Sequence, residues 1–328
     1  MTDTVCSHEA AGLCGRLPLN HDITTTAAPA PTLWPCAVTV PAGEDSFPMS
    51  RRQRPIGRLL LALGAATAVL ATTAAAAPAA TPSMTVISAP AAGSAGAVAA
   101  LDDTYYQSAL GKTGPALKSA LHTIIRNQTK ISYAQVWDAL KNTDQDPANS
   151  SNVILLYSGR SQSKSSNGGN SGQWNREHVW AQSHGNFGTA TGPGTDLHHL
   201  RPEDVGVNSV RGNKDFDRGG SAVSGAPGNY TDSDSYEPRN AVKGDVARMI
   251  LYMAVRYEGD DSWPDLEPNE RVNNGSTPAM GKLSVLKAWS LQDPPDTFEK
   301  RRNEVIYSQY QNNRNPFIDH PEWVEAIW

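Results

Sequence analysis

The segments WNREHVWAQSHG (Trp174–Gly185) and DLHHLRPEDVGVNSVRGNKDFD (Asp196–Asp217) decide how this chain is read. Four of its eight histidines, His178, His184, His198 and His199, fall between residues 178 and 199. Around them stand Glu177, Asp196, Glu203, Asp204, Asn208 and Asn213, with Arg176, Arg201 and Arg211. Packing alone does not explain such a density of acid/base, metal-ligating and anion-pairing groups. Trp174–Trp180 and Asp196–Leu200 read as two short strands joined by a loop. Pro202 suits the first turn of a helix, and Glu203 and Asp204 there complement its N-terminal dipole. That helix is expected to run through Val205, Val207 and Asn208 towards Gly212.

Working outward, Leu117, Leu121, Ile124 and Ile125 recur at the spacing of one buried helix face. Ser132-Tyr-Ala-Gln135 is a capping box for a helix that buries Val136, Trp137 and Leu140. Val153–Tyr157 is a short apolar run expected as a buried strand. Downstream, residues 241–257 read as an amphipathic helix burying Val246, Met249, Ile250, Met253 and Tyr257, with Arg248 and Arg256 on its solvated face. Two more helices are expected over 281–291 and 296–310. The mix predicts an α+β domain over residues 101–328, helix-rich with a few short strands. Trp174 and Trp180 are expected in its core, and no internal repeat is present.

The first hundred residues read differently. Met49 is followed by Arg51, Arg52, Arg54 and Arg58, an apolar run from Leu59 and an Ala-rich tract from Ala74. This is the pattern of a secretory signal over 49–82, too short and weakly apolar for a membrane span. Ser50-Arg-Arg-Gln hints at twin-arginine export, but Arg54-Pro55 favours general secretion. Residues 1–48 are then expected to be either an upstream extension from a misassigned start or a tail that is not part of the mature protein, and 83–100 a flexible lead-in. Cys6, Cys14 and Cys36 all lie in that extension, which excludes thiolate metal sites, Cys nucleophiles and disulfides from the main domain. The formal net charge of −5 does not advertise a polyanion binder. Local positive charge from a metal and a few arginines has to serve instead.

Strand, loop, strand, helix is the layout of a ββα-metal, or His-Me, finger, which lets a helix side chain meet a strand side chain across a cation. The chain also resembles the bacterial endonuclease I family over about residues 130–328. NREHVW, the DLHHLRP…VN…RGN block, Glu237-Pro-Arg-Asn-Ala-Val-Lys-Gly-Asp-Val-Ala-Arg-Met and Arg314-Asn-Pro-Phe-Ile-Asp-His-Pro-Glu carry the resemblance. It implies His178 as general base, Glu177 and Asn208 as ligands of one divalent cation, and cleavage of DNA, and often RNA, with little sequence preference, leaving 5′-phosphates. Some relatives are stapled by disulfides, which this domain lacks.

The residue types suit that chemistry. A hard cation neutralises phosphodiester oxygens and the leaving alkoxide. Imidazole, with a pKa of about 6.5, can deprotonate a water near neutral pH. One carboxylate plus one amide oxygen is a sparse set, the way Mg²⁺ is usually held, with Mn²⁺ or Ca²⁺ as alternatives. Asn213 competes with Asn208 as ligand, or caps the helix. Arg211 or Arg201 either grips a phosphate or pairs with Glu203 or Asp204, and Arg176 is a further phosphate candidate. His199 orients His178 or its loop. His184 is read as loop structure, Asp196 as a turn residue, and Arg301, Arg302 and Arg314 as a possible extension of the phosphate surface. Adjacent strand residues face opposite ways, so Glu177 and His178 must sit at a strand end or a bulge. The protein is expected to be secreted and monomeric, with DNA and RNA as partners and no membrane contact once processed. A zinc hydrolase is the alternative enzyme, although H-E-x-x-H is absent: Glu177 precedes His178, and Gln182 stands four beyond it. An extracellular DNA-binding protein is the non-enzymatic alternative.

Overall fold

The capping box expected at Ser132 forms in the computed structural model, which describes residue 101 and residues 104–328. The Ser132 N–H donates to Gln135 Oε1 at 2.8 Å, and the Gln135 N–H donates to Ser132 Oγ at 3.3 Å. The expected extension, export signal and lead-in over residues 1–100 lie outside the described residues. Helix α1 (Gly114–Ile125) buries Leu117, Leu121 and Ile125, with Ile124 only partly covered. Helix α2 (Val136–Thr143) follows the capping box and buries Val136 and Leu140, while Trp137 stays half-buried. Strands β1 (Gln145–Asp146), β2 (Asn149–Ile154) and β3 (Ser161–Ser163) form an antiparallel sheet. The apolar run from Val153 is strand only as far as Ile154. Leu155, Leu156 and Tyr157 then turn into the interior.

Strands β4 (Trp174–His178) and β5 (Leu200–Asp204) pair antiparallel in unbroken register, with Trp174 opposite Asp204 and His178 opposite Leu200. The second strand therefore begins where the expected one ends. Asp196 accounts for the shift: its Oδ1 accepts the His198 N–H at 3.0 Å, an Asx-type bond that folds 196–199 into a turn. The helix also starts later than Pro202. Pro202 lies in β5, where its carbonyl accepts the Leu156 N–H on the side away from β4, so its missing N–H costs the β4 ladder nothing. Asp204 is the true start signal, since its Oδ1 accepts the N–H groups of Gly206 (2.8 Å) and Val207 (3.1 Å). Helix α3 (Val205–Arg211) runs from there to Gly212, which takes φ +59° and whose N–H bonds Asn208 O.

Four short strands, β6 (Asp215–Phe216), β7 (Ser221–Ala222), β8 (Tyr230–Thr231) and β9 (Ser235–Glu237), form a sheet in the order β6-β9-β8-β7. Helix α4 (Lys243–Arg256) is buried at every position. The parallel pair β10 (Glu267–Asn269) and β11 (Ala279–Gly281) precedes α5 (Leu283–Gln292). Helix α6 (Thr297–Ile306), capped by Asp296, passes into a π-helical turn at Tyr307–Gln311, and α7 (Pro316–Asp319) and α8 (Trp323–Ile327) close the chain. The domain is α+β, as expected. No helix among the described residues is long and apolar enough to cross a membrane.

Two apolar cores meet at the β4–β5–α3 unit. Trp174, Leu197 and Leu200 join a smaller one with Val136, Leu140 and Ile306. Val179, Trp180 and Val207 join the larger one around α4. The interior also holds arginines that the sequence placed elsewhere. Arg248 and Arg256, expected on a solvated face, are buried against Glu299 and Asp261, because α4 is packed on all sides. Arg302 and Arg314 are buried too, on Asp144 and Asp319. Arg301 donates to the Asn142 and Thr143 carbonyls at the end of α2, a C-cap role. None of the three extends a phosphate surface.

Asp144 is fully buried between Arg201 and Arg302. Removing it leaves two buried guanidinium groups facing each other without their shared carboxylate. Asp144→Ala is expected to cost about 3–5 kcal/mol and to lower the melting temperature by roughly 6–20 °C, read by thermal denaturation. A loss below 1 kcal/mol would show that both arginines find other acceptors.

Candidate active site

A pocket of about 480 Å³ opens where the end of β4 meets α3. Alternation along β4 puts Asn175 and Glu177 on one face, and His178, on the other, is the last residue of the strand. The strand end lets both neighbours reach the pocket, as the geometry of adjacent residues required. Arg211, in the last turn of α3 and 1% exposed, ties the unit together. Its Nη1 donates to His178 O at 2.7 Å and lies 3.0 Å from Glu177 Oε1, while Nη2 donates to Val179 O. Tyr157 Oη donates to the same Glu177 oxygen at 2.7 Å. Burial pushes the Glu177 carboxyl above its usual range, with Arg211 and Tyr157 opposing.

His178 Nε2 lies 3.0 Å from Gly194 O. A carbonyl can only accept, so Nε2 carries the proton and Nδ1 carries the lone pair. Gln182 Nε2 sits 2.8 Å from that Nδ1. Burial, then His199 and the guanidinium groups of Arg176 and Arg211, pull the His178 pKa down to about 3 against the Gly194 carbonyl. The ring is therefore neutral at physiological pH. Gly194 has to be glycine: a Cβ there would lie 2.6 Å from Gly188 O and 2.7 Å from Thr189 C.

On α3, Asn208 donates its Nδ2 to Asn175 Oδ1 at 2.7 Å, which leaves Oδ1 as the free acceptor. Asn213 lies past the helix end and also lines the pocket. Its Nδ2 donates to Ser183 Oγ at 3.3 Å, and its carbonyl accepts from His184 Nε2 at 2.8 Å. Arg176 stacks 3.4 Å over the Tyr133 ring and 4.1 Å from the Trp137 ring, with Nη1 donating to Tyr133 O at 2.6 Å. Among the described residues it makes no ion pair. The pocket's other arginine, Arg211, is paired with Glu177 rather than with Glu203 or Asp204.

Other candidates stand apart. Arg201 is buried on Asp144 and Asp245 and does not line the pocket. His198 donates from Nε2 to Asn313 and packs on Tyr252. His184 lies between the Ala279 and Asn213 carbonyls. His199 braces the loop: Nε2 donates to Pro193 O at 2.7 Å, Nδ1 accepts the Trp180 N–H at 3.3 Å, and its ring is 5.5 Å from that of His178. Asp196 is more than a turn residue, since Tyr252, Tyr257, Gln128 and Gln311 also donate to its carboxylate. Sequence reasoning passed over Asn175, although its period-2 spacing from Glu177 was a usable signal. Tyr157, Gly194 and Tyr133 reach the site through the fold, and no local pattern marks them, whereas Gln182 stands four residues beyond His178 in the same block.

The donors suit a hard divalent cation: one carboxylate and one amide oxygen, with no thiolate and no second histidine free to ligate. Among the described residues the three acidic or imidazole groups that do converge, Glu258, Asp265 and Glu267, lie elsewhere and face Lys118. The histidines behind the pocket leave a measurable trace. Burial pushes His198 and His199 down to about 4, against the opposing charge of Asp196. Unfolding frees both to take up protons below their ordinary value of about 6.5, so their contribution to stability falls as pH drops from 6.5 towards 4. Each such proton contributes about 1.4 kcal/mol per pH unit, to be read as the difference between wild type and His198→Gln in urea titrations at pH 7, 6 and 5. His198→Gln should make that slope shallower.

The chain is similar in sequence to known proteins. The Endonuclease I family model matches residues 113–322. An extracellular ribonuclease of Bacillus amyloliquefaciens is 70% identical over 226 residues, covering 69% of this chain and 78% of that protein. An extracellular ribonuclease of Bacillus subtilis (strain 168) is 66% identical with the same coverage. An extracellular deoxyribonuclease of Aeromonas hydrophila is 29% identical over 133 residues, 38% of this chain and 48% of that protein. With the family match running through α1, β4, α3 and α7, the chain belongs to the endonuclease I family.

Proposed function

We propose that this secreted endonuclease is a metal-dependent phosphodiester hydrolase acting on RNA and on DNA with little regard to sequence, and that the β4–β5–α3 unit is its His-Me finger. The observation that carries the reading is the convergence of Glu177, the neutral His178, Asn208 and the unpaired Arg176 on one pocket. Relatives named ribonucleases at 66–70% identity support RNA as a substrate, and the more distant deoxyribonuclease supports DNA. The chemistry is compatible with both, because an external water attacks and no 2′-hydroxyl takes part.

Glu177 and Asn208 Oδ1 would hold one divalent cation, with Mg²⁺ the best match for so few protein ligands. Such an ion supplies neutralisation of the phosphate oxygens and of the leaving alkoxide. The protein's own residues do the rest. His178 Nδ1, its tautomer set by Gly194, takes a proton from the attacking water as the new P–O bond forms. The bond to the 3′-oxygen breaks, leaving a 5′-phosphate and a 3′-hydroxyl protonated from solvent. Arg176 pairs with a phosphate oxygen, and Gln182 turns aside from Nδ1 to admit the water. Arg211 positions Glu177 and the strand end.

Cleavage of RNA and plasmid DNA should stop on chelation with EDTA and return with Mg²⁺. His178→Ala should lower turnover by roughly 10²–10⁴-fold with an unchanged melting temperature, and near-normal cleavage by that variant would end the proposal. Asn208→Ala should raise the Mg²⁺ needed for half-maximal activity about tenfold or more. Normal cutting at limiting Mg²⁺ would move the ligand role to Asn213. Gly194→Ala should lower kcat with little change in KM, since it displaces the carbonyl that fixes the His178 tautomer.

A further inference from the structure

A second cleft, of about 300 Å³, runs beside the pocket and shares Tyr133, Asn175 and Arg176 with it. Its remaining walls are Trp137, Gly168 and Gly169. We propose that this cleft is a nucleobase subsite, which takes the base of the nucleotide next to the scissile phosphate and so directs the enzyme to unpaired strands. The inference rests on the nuclease reading above and adds the conformation of the substrate.

Continuity is the first argument. Arg176 stands at the junction, so a phosphate held there in the main pocket places the attached nucleoside within reach of the cleft. The composition is the second. Two half-buried aromatic rings, Tyr133 and Trp137, with a guanidinium stacked between them, offer the sequence-tolerant stacking surface that suits any base. Asn175 gives its Oδ1 to Asn208, and its amide N–H groups bond no described residue, which leaves a donor for a base edge. The third argument is the glycine wall. Gly168 N–H donates to Trp174 O at 2.9 Å, which docks the loop on the start of β4. A Cβ at Gly168 would run into Gln173 Oε1, whereas one at Gly169 meets nothing within 4 Å. The cleft is thus preformed and open at Gly169. A base in a duplex has to leave its stack and its partner to enter such a cleft, a cost that an unpaired strand does not meet.

Gly169→Leu fills the cleft without touching His178, Glu177 or Asn208. Steady-state cleavage should be measured with Mg²⁺ on single-stranded RNA and DNA oligomers, their duplexes, and an oligomer made of abasic nucleotides. Wild type should favour single strands over duplex at least tenfold in kcat/KM. Gly169→Leu should raise KM for single strands about tenfold, the scale of one lost stacking contact, with kcat within twofold. Both proteins should cut the abasic oligomer alike, and Gly169→Ser, too small to fill the space, should keep the wild-type KM. An unchanged KM in Gly169→Leu, equal cleavage of duplex and single strand by wild type, or an equal loss on the abasic oligomer would overturn the subsite. Failure of wild type to cut any nucleic acid would instead overturn the nuclease reading.

Discussion

The reach of Arg211 from the last turn of α3 to the end of β4 is the contact on which the rest of the site depends. One guanidinium binds the Glu177 carboxylate and the carbonyls of His178 and Val179. It thereby holds the strand end, where two adjacent side chains can both face one pocket, against the helix that carries Asn208. Removing a charge from water is costly unless it is paired and hydrogen-bonded, and the two terminal nitrogens of Arg211 find those partners here. The pairing also explains why Arg211 does not stand as a free anion clamp.

The imidazole is governed by the loop between the strands. His199 ties Pro193 and Trp180 together, Asp196 gathers donors from α4 and the π-helical turn, and Gly194 presents its carbonyl to His178. Burial then keeps the ring uncharged with its lone pair on Nδ1. A neutral imidazole whose tautomer is set by a backbone carbonyl has no need of a carboxylate partner, and Glu177 is left to the helix side of the pocket.

Charge follows the same division. The chain is net negative, and Arg201, Arg248, Arg256, Arg302 and Arg314 pair with buried or half-buried carboxylates. Arg176 is different: two aromatic faces and a carbonyl hold it, and no acid among the described residues cancels it.

Composition, periodicity and turn chemistry in the sequence were enough for the α+β class, the capping box at Ser132 and the buried faces of α1 and α4, while the resemblance to the endonuclease I family singled out Glu177, His178 and Asn208 within one segment. Those features rest on contacts within a few residues of one another. The tertiary structure decided what depends on distant partners. Tyr157 and Gly194 joined the site from outside its motif. Arg201 was drawn away from the pocket to Asp144, because a buried carboxylate 57 positions distant in the chain outweighs any local pattern. Local spacing can place a side chain on a face, but the partner it meets there is set by how the whole chain packs.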